Sequence, residues 1–171
     1  SNLAGANDTY AEQNNDVDSW LKSFAGILTF PEKAKAQAML PVTGYAQVGI
    51  SGLTKVQTWV SKKGDPWPAD DPHFTKAPWR DAEILGPPKS WSGGLPGDKL
   101  PDRLHGFDPT THRPKTWPLL LAHVHWAAAL PGLAAGEYLL RARSIDANGI
   151  AQPMPRPFAK SGRNAIEERV I

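Results

Sequence analysis

The sequence predicts an all-β fold: short strands packed as a sandwich and joined by long loops. Two observations carry this. The 171 residues include 15 Gly and 17 Pro, well above ordinary usage, so much of the chain must be turn and loop. Between the turns, several short stretches alternate apolar and polar side chains with a period of two, and no long stretch keeps a clear helical period. A hydrophobic content of 40% with 7 Trp is enough for one domain with a buried core.

The elements follow in order. Residues 1–19 are polar and read as a linker, leaving 20–171 as the folded domain. From Val17 to Leu28 the apolar residues Val17, Trp20, Leu21, Phe24 and Leu28 fit a helical spacing. The same region also reads as a strand, "KSFAGILTFP" (22–31), and periodicity leaves both open. Glu32 to Met39, rich in Ala and Lys, predicts a short helical turn. "VTGYAQVGI" (42–50) reads as a strand. "KVQTWVS" (55–61) follows, with Val56, Thr58 and Val60 on one face and Gln57 and Trp59 on the other. A proline-punctuated loop (65–78) leads to the strand "WRDAEIL" (79–85), and a second long loop spans 86–116. Loops of that length are usually functional or interaction surfaces.

"PLLLAHVHWAAAL" (118–130) predicts the most informative strand. Leu120, Ala122, Val124, Trp126 and Ala128 share an apolar face that should point inward, with His123 and His125 opposite. "GEYLLRARSI" (136–145) is the return strand, with Tyr138, Leu140 and Ala142 on one face and Arg141 and Arg143 on the other. Next comes "SIDANGIAQPMPRP" (144–157). Asn148-Gly149 predicts a tight type I′ turn. Pro153, Pro155 and Pro157 forbid a long return strand, because proline cannot donate to a ladder. That leaves a brief extended contact at 150–152.

Composition excludes several function classes. A net charge of +2 without a basic run gives no nucleic-acid signature. The count of Cys 0 removes disulfides, thiolate catalysis and cysteine-ligated metals. No apolar run reaches membrane-spanning length. No charged stretch opens a signal peptide, and the sequence reads as a piece of something longer. Nucleophile-elbow and phosphate-loop motifs are missing.

The remaining candidates each have a plain structural alternative. His123 and His125, two apart on a strand, put both imidazoles on one face about 7 Å apart. Zinc needs three or four ligands, so a polar outer face or an interface explains the pair more simply. Asp70, Asp71 and Asp81 lack calcium-loop spacing and read as solvated. Arg141, Arg143, Arg156, Lys160 and Arg163 are candidates to line an anion site, against a solvated face with Arg143 paired to Asp146. Trp67, Trp91 and Trp117 sit in loops, where they would bind a partner or cap the core.

The order of these pieces is informative. "GISGLTKVQTWVSKKG" (49–64) precedes "WRDAEIL" (79–85) and "HVHW" (123–126). "LPGLAAGEYLLRARSIDANGIAQP" (130–153) and "SGRNAIEERV" (161–170) follow. Together they resemble the C-terminal dimerisation domain of the sulfite oxidase family of molybdenum-cofactor oxidoreductases. Trp79, Trp126, Arg143, Asp146, Asn148, Gly149, Gln152, Pro153 and Asn164 mark the signature positions, and 22–31 matches the family's first strand. The resemblance implies an immunoglobulin-like sandwich that forms a homodimer beside a separate molybdopterin-binding catalytic domain. It implies no catalytic residue in this chain, no cofactor here, and export to the periplasm. It also places an anion-binding arginine where this chain has Ser161, flanked by Lys160 and Arg163. Residues 65–78 and 86–116 are insertions relative to the family.

The expected function is therefore scaffolding: self-association and packing against a catalytic domain, with no nucleic acid and no membrane span. The alternative is an independent immunoglobulin-like module of an exported protein, binding carbohydrate or protein. A small metal enzyme built on His123 and His125 trails both.

Overall fold

The computed structural model describes residues 23–90, 97, 99–152 and 166–171. Seven strands form: β1 (Phe24–Thr29), β2 (Leu40–Gln47), β3 (Leu53–Lys62), β4 (Arg80–Ile84), β5 (Val124–Leu130), β6 (Tyr138–Asp146) and β7 (Glu167–Val170). No α-helix occurs among the described residues. The class is all-β, as composition and period two predict.

Every strand pairs antiparallel, in the order β1-β2-β5-β4-β3-β6-β7. The two ends of this order curl toward each other. The Ala25 amide donates to the Gln152 side-chain oxygen at 3.0 Å. The Ile27 amide donates to a Glu167 carboxylate oxygen at 3.0 Å. Side chains thus stand in for part of a ladder, and the sheet becomes a nearly closed barrel. An open edge would leave these amides available to another chain.

The alternation read from sequence places the core. Val42, Ala46, Val56, Val124, Trp126, Leu140 and Ala142 are each at most 1% exposed. Trp126 lies across Gly44, its register partner on β2. A Cβ at Gly44 would stand 2.1 Å from the Gly26 carbonyl oxygen and 2.3 Å from the Trp126 ring. Only glycine permits that approach.

Three local expectations are corrected. β5 begins at Val124 rather than near 118. Leu121 takes a φ of 60°, which ends extended backbone there. Leu119 and Leu120 pack instead against Gly106 and Gly52. Residues 32–39 form bends and turns, not a helical turn, because Leu40 and the Gln37 amide are tied into β2 and to the Leu133 carbonyl. The turn after β6 is not type I′. Gly149 has a φ of 79°, while Asn148 is not among the residues of positive φ. The chain forms a three-residue loop, 147–149, closed by Asp146 N to Ile150 O at 3.1 Å. This is a type I turn followed by a left-handed glycine, the next commonest hairpin connection. The brief pairing that follows is present as an Ile145–Ala151 bridge.

Candidate functional site

The barrel wall has two outer faces of different character. β1, β2 and β5 contain no Lys, Arg, Asp or Glu. Period two sends Phe24, Gly26 and Leu28, then Pro41, Thr43 and Tyr45, then His125, Ala127 and Ala129 outward, because their neighbours fill the core. His123 and His125 are both exposed on this face, as the sequence predicts. His123 lies 5.6 Å from the Phe24 ring and 5.7 Å from Tyr45, and Phe24 meets Tyr45 edge-on at 5.2 Å. Tyr45 rests on Gly26, where a Cβ would come within 2.9 Å of its ring. On these three strands the face is aromatic and carries no charged side chain, and Glu83 of β4 borders it opposite Ala127.

The outer face of β3 and β6 is the opposite case. Register sets Trp59 beside Arg141 and Gln57 beside Arg143. Residues 65–79 fold over them as a strap. Trp67 and Phe74 pack 4.9 and 5.3 Å from Trp59, with Trp79 at 5.8 Å. The Arg141 guanidinium is sandwiched 4.6 Å from Trp59 and 4.5 Å from Phe74. It donates to Ser61 Oγ and pairs with Glu168, both at 2.8 Å. Arg143 lies 4.3 Å over Trp79 and donates twice to Gln57 Oε1, at 2.9 and 2.7 Å. Burial lowers the Arg143 pKa, and the nearby Asp71 carboxylate works against that.

Asp71 holds the strap. Its carboxylate accepts from Thr75 N, Thr75 Oγ1 and Lys76 N at 2.8, 2.7 and 3.0 Å. Burial favours its neutral form, yet these donors and the Lys76 charge prevail and lower its pKa. Asp71 was expected to be solvated, and it is buried. Arg141 and Arg143, candidates for an anion site, are committed to rings and side chains instead. Arg143 does not pair with Asp146. Sequence reading missed this cluster, although Trp59 and Arg141 share the outward phase of adjacent strands.

Asp146 organises the hairpin. It accepts from Asn148 N and Ile150 N at 2.9 and 2.8 Å. Burial raises its pKa, but hydrogen bonds from Ile150, Ser51 and Asn148 outweigh that, so the carboxyl stays below its ordinary range. Gln152 is 2% exposed. Its oxygen bridges Ala25 N on β1 and Ser144 N on β6. Three exposed apolar side chains lie near this hairpin. Ile50, Leu120 and Ile150 are 73%, 50% and 43% exposed, joined through Gly52, which touches Leu120 and accepts from Ala147 N.

Of the family positions, Trp79 ends the strap and Arg143 lies against its ring, Trp126 fills the core, and Asp146, Asn148, Gly149 and Gln152 build the hairpin and latch. Pro153, Lys160, Ser161, Arg163 and Asn164, together with Trp91 and the linker 1–19, lie outside the described residues. Among the described residues no three His, Asp or Glu side chains come together as a metal site. The chain contains no cysteine. No helix among the described residues is long and apolar enough to cross a membrane. No family model matches the chain, and no curated protein matches it.

Proposed function

We propose that this chain is a scaffold domain of a sulfite oxidase-like molybdenum oxidoreductase, with the immunoglobulin-like arrangement of that family's dimerisation domain. It associates with a second copy of itself and packs against a separate molybdopterin-binding catalytic domain. The observation that carries this reading is the uncharged outer face of β1, β2 and β5, which no segment covers among the described residues. The cores of protein interfaces are depleted in charge and enriched in aromatic residues. The apolar rim of Ile50, Leu120 and Ile150 supports a second contact, toward the catalytic domain. Residues 153–165 follow Gln152 in sequence and contain Ser161, at the position where the family carries its anion-binding arginine.

The carbohydrate-module alternative loses support. Trp59, Trp67 and Trp79 pack on one another or on arginines, and the Trp117 indole N–H is tied to the Leu85 carbonyl at 2.9 Å. The ring faces of Trp59, Trp67 and Trp79 are therefore not presented as sugar platforms.

The test mixes the purified chain with a molybdopterin-binding catalytic domain of this family and measures binding by calorimetry. A complex weakened by Ile50→Asp supports the reading. Absence of both self-association and binding would overturn it.

A further inference from the structure

We infer that the cavity lined by residues 100–115 binds an organic oxyanion, a carboxylate or phosphate on a small apolar body, with Arg103 and Lys115 as its anion-binding side chains. The cavity measures about 550 Å³, within the range of small-molecule sites. It lies in the second long loop, outside the strands and the strap. Residues 104–115 fold there as a lobe of their own. Lys115 N donates to Gly106 O and Asp108 N to Arg113 O, both at 2.8 Å, and Phe107 forms a bridge with Pro114. Phe107 is buried, and Leu119 packs on Gly106. Arg103 and His112 take φ of 59° and 53°, a left-handed conformation that non-glycine residues seldom adopt. Of the five non-glycine residues with positive φ among the described residues, these two line this one cavity. Costly backbone of this kind gathers at functional sites.

The ligand class follows from the lining. Arg103 and His105 precede the turn at Asp108, and His112 and Lys115 follow it, so the turn brings nitrogen donors together from both sides. Among the described residues, no ion pair or side-chain hydrogen bond engages Arg103 or Lys115. Arg141 and Arg143, by contrast, are committed to rings and side chains. Two carboxylates, Asp102 and Asp108, also line the cavity. Asp108 Oδ1 accepts from Thr110 N, Thr111 N and Thr111 Oγ1 at 2.9, 2.7 and 3.0 Å. These donors lower its pKa more than the Lys115 charge does. Asp108 is thus occupied by its own turn, which leaves Asp102 against two cations and two imidazoles. A guanidinium fork beside an ammonium suits a carboxylate or a phosphate. Leu104, 37% exposed, and Pro109 supply apolar wall for the body that carries it. An extended nucleic acid would call for a basic stripe rather than a concave site.

Calorimetric titration of the full 171-residue chain with phenyl phosphate, benzoate and benzamide at low ionic strength tests this. At least one of the two anions should bind saturably, and the tighter one identifies the oxyanion. Neutral benzamide should bind at least about tenfold more weakly. Arg103→Gln with Lys115→Gln should weaken anion binding at least about tenfold, with the melting temperature unchanged. Lys33→Gln with Lys35→Gln, an exposed pair outside the cavity, should bind like the native chain. No saturable binding of either anion would overturn the site and leave the scaffold reading standing. Benzamide bound as tightly as the anions would overturn the oxyanion requirement. Equal losses in the two double variants would overturn the assignment to Arg103 and Lys115.

Discussion

The two outer faces of this barrel solve the same problem in opposite ways. Over β3 and β6, two arginines and a tryptophan point outward, and residues 65–79 fold back to cover them with three more rings. Each guanidinium there finds a π face and hydrogen-bond acceptors, an arrangement that suits arginine's planar, weakly hydrated head. Over β1, β2 and β5, Phe24, Tyr45 and the two histidines point outward, and among the described residues no strap lies above them. One face is a second core completed within the chain. The other is an aromatic surface that no described segment covers, the kind that marks an interaction site.

Four substitutions can break or sharpen that contrast. The largest effect should come from beneath the bare face. Trp126→Ala should cost about 3–5 kcal/mol, the range for emptying a large core site. His125→Ala, the adjacent residue on the outer side, should stay within about 0.5 kcal/mol in the monomer. Denaturant midpoints in the reverse order would mean that β5 faces the other way. Next, Trp59→Ala should cost about 3 kcal/mol, because it removes the centre of the strapped cluster. Tyr45→Ala should cost about 1 kcal/mol, as an outer residue packed on one side only. Equal losses in thermal unfolding would erase the distinction between a covered and a bare face.

A smaller effect belongs to the hairpin. Asp146→Asn should cost about 1–2 kcal/mol at neutral pH, through weaker acceptance from the part-buried Asn148 and Ile150 amides. The sign with pH follows from its depressed pKa. Near pH 4 and below, the unfolded carboxylate takes up protons before the folded one does. The stability it contributes is therefore present at neutral pH and lost as pH falls through the folded value. Asp71, depressed in the same direction, should add to that acid loss. Melting temperatures from about pH 5 to about pH 3 should fall less steeply in Asp146→Asn than in the native chain.

Much of the wall was legible in sequence, because period-two burial is a local property. Val56 and Thr58 pointed inward and Gln57 and Trp59 outward, as alternation required. Trp126 was placed in the core on the same ground. The barrel-like closure was not legible, since it depends on Gln152 and Glu167 reaching β1 across more than a hundred residues. The strap was missed for the same reason. Whether an outward Arg141 meets solvent or a tryptophan depends on register and on where a proline-rich loop comes to rest, and neither is periodic. The apolar run 118–121 read as strand because alternation cannot register a backbone reversal such as that at Leu121. At the candidate interaction face, the histidine pair and its exposure were visible early. The lack of charge across all three strands mattered only once pairing had set them side by side.

The central claim, that the bare face is where two copies meet, is tested most directly by one charge. Ala129 is exposed on that face, opposite Pro41 and outside the core. Sedimentation equilibrium at about pH 8, above the histidine range, should find the native chain dimeric. Ala129→Arg should be monomeric with an unchanged melting temperature. A variant that dimerises as tightly as the native chain would contradict the account.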